Sequence, residues 1–182
     1  MRRFALSLGI VAAALALVAL PAVAGNPDVN HFKFSDSFSD TDFCGTGMKV
    51  DISVSGRGTE FFAPNQPVDY RNTTEGNVVF TNPLTGDTVI LHFAGPFSDT
   101  TISGDPEGLH VHEGVVKGLP ELIRTSHGGV LTRDAGYVVQ HLTFDGDEFI
   151  SMEVVVNRGP HPDLDSDFEL FCEVMPDALG LS

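Results

Sequence analysis

The chain has no tryptophan, two tyrosines and two cysteines in 182 residues, and only 10 lysines and arginines against 25 aspartates and glutamates. Positive charge is what a protein needs to track a phosphate backbone, so a net charge of −15 excludes a nucleic-acid partner. It also excludes docking on an anionic lipid surface. Two cysteines are too few for a Cys-built zinc site or an iron–sulfur cluster within one chain. Beyond residue 24 alanine is scarce, with only Ala63, Ala94, Ala135 and Ala178, whereas the chain holds 19 glycines. A segment poor in the best helix former and rich in one of the worst is not helical. The sequence also lacks a Gly-x-Ser-x-Gly elbow, a phosphate loop and a Gly-x-Gly-x-x-Gly fingerprint. Valine, leucine, isoleucine and phenylalanine are plentiful, which excludes a disordered chain.

Residues 1–24 read as a signal peptide. Arg2 and Arg3 supply the positive start, Phe4 to Leu20 is apolar and uncharged, and Pro21 breaks the run. Ala22-Val23-Ala24 then places small residues where a signal peptidase reads them, so cleavage is expected before Gly25. The competing reading is an uncleaved anchor, because the run approaches spanning length. Cleavage would leave no stable membrane span. It would also leave the exported part more acidic, since Arg2 and Arg3 go with the signal. The expected localisation is secreted, extracellular or in the cell envelope.

Residues 25–46 form an acidic N-terminal arm, with Phe32, Phe34, Phe38 and Phe43 set among Asp28, Asp36, Asp40 and Asp42. Residues 47–182 form a single β domain. Met48, Val50, Ile52 and Val54 alternate with polar residues, the pattern of a half-buried strand. Gly56-Arg57-Gly58, Pro64–Pro67, Glu75-Gly76, Thr85-Gly86-Asp87 and Asp145-Gly146-Asp147 are read as turns or breakers. Short strands are expected at 97–103, 109–116 and 119–125, a clear hairpin at Tyr137–Val156, and a last strand at Phe168–Val174. Many short strands without a helical crossover predict an all-β, antiparallel meander. Cys44 precedes the first clear strand and Cys172 falls in the last, so one disulfide between them is expected in an exported chain. It would join the ends of the meander, which predicts a closed or nearly closed β-barrel, with a β-sandwich as the alternative.

Alternation within each strand sets His92, His110, His112 and His141 opposite the apolar residues of their strands, with Tyr137 and Glu153. These four histidines are the candidate metal ligands, because His-x-His is a genuine ligand spacing. The bland reading makes them the wet face of a half-buried sheet. Gly104, followed after five residues by His110-Val111-His112, resembles the opening of the cupin metal motif. Val116 and Lys117 stand where its glutamate belongs, and its second motif is absent, so the resemblance implies no working cupin site. Asp163, Asp165, Asp167 and Glu169 are spaced like a calcium loop but lack its glycine and its final glutamate. Asn72-Thr73-Thr74 fits an N-glycan acceptor. No catalytic residue and no organic cofactor is assigned.

Phe43-Cys44-Gly45, the successive hairpins, Gly159-Pro160-His161-Pro162 and Phe171-Cys172 are similar in layout to small exported proteins of actinobacteria with no assigned function. That resemblance implies a β domain outside the membrane and carries over no site residue. The expected function is a non-enzymatic secreted or envelope domain that binds a small apolar ligand or a partner surface. The alternatives are a metal-binding protein or metal-dependent enzyme using His110 and His112, and an acidic calcium-binding envelope protein.

Overall fold

The alternation that begins at Val50 does not stop at the first glycine but runs on into a long strand, and the same is true along most of the chain. In the computed structural model, which describes residues 28–62, 69–166 and 169–181, seven strands follow one another in order. They are β1 (Asp28–Asp40), β2 (Val50–Phe62), β3 (Asp69–Thr81), β4 (Thr88–Gly104), β5 (Leu109–Thr125), β6 (Val130–Asp145) and β7 (Glu148–Arg158). Each pairs antiparallel with the next, giving one seven-stranded meander sheet. The ladder does not close, because no β1–β7 pairing exists among the described residues and these two strands are its edges. The proposed signal peptide, its cleavage point and the Pro64–Pro67 breaker lie outside the described residues. The acidic segment expected as an arm contributes β1, which pairs with β2 from end to end.

Several expected turns are strand interiors. Gly56-Arg57-Gly58 lies within β2, Glu75-Gly76 within β3, and the expected gaps near 95–96 and 117–118 lie within β4 and β5. The glycines there serve close approach rather than reversal. Gly56 and Gly76 stand directly opposite each other. The ring of Phe34 lies over Gly56 and the ring of Phe93 over Gly76, so a Cβ at either glycine would come within 2.5 Å of a ring carbon. Farther along the sheet Gly118 pairs with Gly136, with φ of 98° and 146°. A Cβ on Gly136 would collide with the carbonyl oxygen of Arg158. These residues crease the sheet where side chains would hold it apart. Thr85-Gly86-Asp87 and Asp145-Gly146-Asp147 are true reversals between strands.

Of the expected last strand, Phe168–Val174, residues 169–174 are instead helical. The helix α1 (Pro162–Asp165) is a single turn, and α2 (Glu169–Ala178) follows it. Asp163 caps the start of α2 by accepting the Phe171 N–H at 2.8 Å, and the Ser166 hydroxyl accepts the Leu170 N–H at 3.1 Å. Phe171, Met175 and Leu179 recur every fourth residue and all are buried. They pack on Val50, Ile52, Val78, Phe80, Val89, Leu91 and Ile123, which makes this the inner face of the sheet. Cys172 of α2 is bonded to Cys44, which lies in a 3-10 turn (Phe43–Gly45) between β1 and β2. The disulfide therefore ties the covering helix to the first connection and does not join two strands.

Candidate functional site

The core and α2 occupy one half of the inner face. Register places a different set of side chains on the other half. Tyr70 stands opposite Asp99 and Asn72 opposite Phe97. Glu60 stands opposite Asn72, Thr101 opposite His112, and His110 opposite Phe144. No described helix packs over this half, yet Asn72 is only 3% exposed, His110 6% and Glu60 7%.

The row is polar in the middle and aromatic on either side. Phe62, Tyr70 and Phe97 form a run of rings with centroids 6.1 and 6.3 Å apart. At the other end His110 stacks on Phe144 at 5.6 Å, and Phe144 meets Phe149 at 5.8 Å. Between them the His112 Nδ1 lies 2.7 Å from an Asp99 carboxylate oxygen. The His110 Nδ1 donates to the Gly108 carbonyl at 2.8 Å. Both rings are thereby oriented with Nε2 as the remaining acceptor, which in His112 faces the Thr101 hydroxyl at 3.5 Å, and their centroids are 4.8 Å apart. Burial pushes the Asp99 carboxyl above its ordinary range, and His112 beside it draws it partly back.

The amide and phenol groups in the row donate to acceptors inside the protein. The Tyr70 hydroxyl donates to Glu60 at 2.8 Å, and the Asn72 amide donates to the Tyr70 oxygen at 3.0 Å. The Asn30 amide donates to the other Glu60 oxygen at 3.2 Å. Burial pushes the Tyr70 hydroxyl up to about 12, so it remains a donor at any physiological pH. The Asn72 Oδ1 and the Thr74 hydroxyl, in contrast, are buried without a protein partner. Leaving a buried polar atom unsatisfied costs about 1–3 kcal/mol. Buried and hydrogen-bonded, Asn72 is not presented as a glycan acceptor in this fold.

The four candidate histidines do not converge. His110 and His112 are on the inner face, while His92 and His141 are on the outer one, where His92 meets Asn77 at 3.1 Å and His141 lies 3.6 Å from Glu113. Tyr137 and Glu153 share the outer face with them, and Lys117 sits over the Tyr137 ring. Alternation holds along each strand, but it breaks between Gly118 and Glu121, where β5 spends one residue more than β6. Inward positions are odd at Glu121 and Ile123 and even from His110 to Val116. That bulge turns His110 and His112 inward. Among the described residues no group of three or more His, Cys, Asp or Glu side chains is arranged to hold a metal ion.

Of the acidic run, Asp163 caps α2, Asp165 accepts from Asn157 at 2.9 Å, and Asp167 lies outside the described residues. Sequence reading did not single out the cluster to which Asp163 belongs. Glu121 and Asp134 are cross-strand partners beneath α1, and His161, 1% exposed, lies 3.8 Å from Asp134. Burial, then Asp163 and Asp134, push the Glu121 carboxyl up to about 8. Asp134 and Asp163 are also raised by burial.

Charge divides the two faces. By register every lysine and arginine in the described strands projects outward: Lys33, Arg57, Arg71, Lys117, Arg124, Arg133 and Arg158. Two shallow grooves lie along the outer side of β1–β4, bordered by His31, Lys33, Arg57, Glu75 and His92, and Arg57 is paired with Glu75 there. They are separate from the inner row. No helix among the described residues is long and apolar enough to cross a membrane. No family model matches the chain, and no curated protein or solved structure matches it.

Proposed function

We propose that this chain is an exported, non-enzymatic β domain that binds a small ligand with an apolar body on the inner half of the sheet left open by α2. The observation that carries this reading is the row itself: the exposed Phe62 ring and the half-buried rings of Tyr70, Phe97 and Phe144 around buried polar atoms, of which the Asn72 Oδ1 has no protein partner. Binding sites of this kind are mainly apolar with a few placed polar groups. In this reading β1 and β7 coil toward one another as in a nearly closed barrel, and the disulfide suits an oxidising compartment.

Titration with 1-aminoanthracene, an uncharged aromatic fluorophore, tests it. Saturable enhancement is expected for the natural chain, with at least a tenfold weaker response in Phe97→Ala and no change in Arg57→Ala on the outer face. No saturable signal, or a signal lost only in Arg57→Ala, would reject the inner row as the site.

A second reading, metal binding, rests on His110 and His112, whose Nδ1 atoms are both held, so that each ring turns Nε2 away from that contact, the His112 Nε2 toward the Thr101 hydroxyl at 3.5 Å. It predicts that zinc binds with one-to-one stoichiometry by calorimetry and that His110→Ala/His112→Ala abolishes the heat.

A further inference from the structure

We infer that the ligand of the inner row is a small organic cation, an ammonium carried on an apolar or aromatic body. The inference rests on the ligand reading above and adds the charge and hydrogen-bonding character of what binds. Three observations lead to it.

The first is the segregation of charge. The inner row holds the carboxylates of Glu60 and Asp99, while the lysines and arginines of the described strands project from the opposite face. An anionic headgroup would meet two carboxylates here and no permanent positive charge.

The second is the state of the hydrogen bonds. The row's donors on Asn30, Tyr70, Asn72, His110 and His112 already have acceptors within the protein. What is left over is mainly acceptor capacity: the His110 Nε2, and the Asn72 Oδ1, which is shielded from water with no partner at all; the His112 Nε2 already faces the Thr101 hydroxyl at 3.5 Å, and the buried, unpaired Thr74 hydroxyl can accept as well as donate. A ligand bearing several N–H donors satisfies all of these atoms, and one bearing only acceptors leaves the Asn72 Oδ1 and the His110 Nε2 unpaired.

The third is the ring run of Phe62, Tyr70 and Phe97 next to Asp99. A cation over an aromatic face, with a carboxylate beside it, gains from both without requiring either to move. The site is sunk but reachable, since the Asp99 side chain is 20% and the His112 side chain 14% exposed.

Three probes of one shape and different charge separate the possibilities: 4-phenylbutylamine, 4-phenylbutan-1-ol and 4-phenylbutyrate, each titrated into the oxidised protein at pH 7 and followed by NMR. The amine is expected to shift the resonances of Tyr70, Asp99 and His112 saturably. It should bind at least tenfold more tightly than the alcohol, with no binding of the carboxylate. Asp99→Asn is expected to lower amine affinity at least tenfold and leave alcohol affinity unchanged. Glu60→Gln, tested in parallel, serves if the first variant does not fold. Equal binding of all three probes would overturn the charge inference and leave the ligand reading standing. Binding of 1-aminoanthracene alone would do the same. Failure of every probe, 1-aminoanthracene included, would remove the ligand reading and this inference with it. Amine shifts confined to the outer face, or indifferent to both substitutions, would mark surface association and overturn the inference.

Discussion

Gly136 is a residue whose role lies in what it lacks. Its φ of 146° is open to glycine and strained for other residues, and a Cβ there would strike the Arg158 carbonyl across the β6–β7 pair. Gly136→Ala is therefore expected to cost about 2–4 kcal/mol by urea unfolding, the range for a backbone clash with strain. Gly86→Ala is the comparison. It also has positive φ, but open space surrounds it, so only the conformational term remains and the loss should be about 1 kcal/mol. Equal losses in the two variants would show that the crease at Gly136 does not depend on close approach. At this scale sequence reading was weakest. Gly56, Gly58 and Gly76 look like reversals in the sequence, because periodicity does not distinguish a turn from a kink inside a strand, and Gly136 leaves no mark in the pattern at all. The histidines were misplaced for a related reason. His110 and His112 were correctly set opposite Leu109 and Val111, but the single inserted residue between Gly118 and Glu121 decides which face of the sheet that is.

Helix α2 shows the ambiguity at the level of an element. Phe168–Val174 is short and apolar enough to pass for a strand, and the fourfold spacing of Phe171, Met175 and Leu179 that marks the helix extends past that window. The hairpin of β6 and β7 was legible because Asp145-Gly146-Asp147 is flanked by alternation on both sides. The junction where α1 meets the sheet should also make stability depend on pH. Glu121 has a folded-state pKa of about 8 against an ordinary 4.5, because burial and the neighbouring Asp163 and Asp134 disfavour its charge. A raised carboxyl pKa means that the folded state binds the proton more tightly than the unfolded state. Its stabilising contribution is complete below about 4.5 and is lost as the pH rises through about 8. Asp134 and Asp163 are shifted in the same direction by burial. The melting temperature is therefore expected to fall between pH 6 and pH 9. Glu121→Gln should flatten that slope and leave the variant more stable than the natural chain at pH 9. An unchanged slope in Glu121→Gln would mean that another group controls the titration.

For the whole molecule, the disulfide matters because of what it joins. A meander is built from local pairings, each strand beside the next, and such a sheet can form progressively from its hairpins. The layer that covers its core is different, since α2 comes from the end of the chain and packs on residues of β2 to β5. Cys44–Cys172, 128 residues apart in sequence, fixes that layer to the connection after β1. The pairing of Cys44 with Cys172 was legible from the cysteine count, but the elements it joins were not, because the window around Cys172 reads as a strand. That difference changes what reduction should do. Had the bond joined two strands, its loss would have loosened the sheet. As placed, its loss should release α2 first, while the β-ladder persists. Reduced protein, or Cys44→Ser/Cys172→Ser, is expected to lose about 2–5 kcal/mol of stability. Hydrogen exchange should report where. Amides of Phe171 to Leu179 are expected to lose protection before those of β5 and β6, and Val50, Phe80 and Val89 should become accessible to an apolar dye as the helix lifts. Simultaneous loss of protection in α2 and in β5–β6 would show that the helix and the sheet form one cooperative unit, with the disulfide stabilising both together.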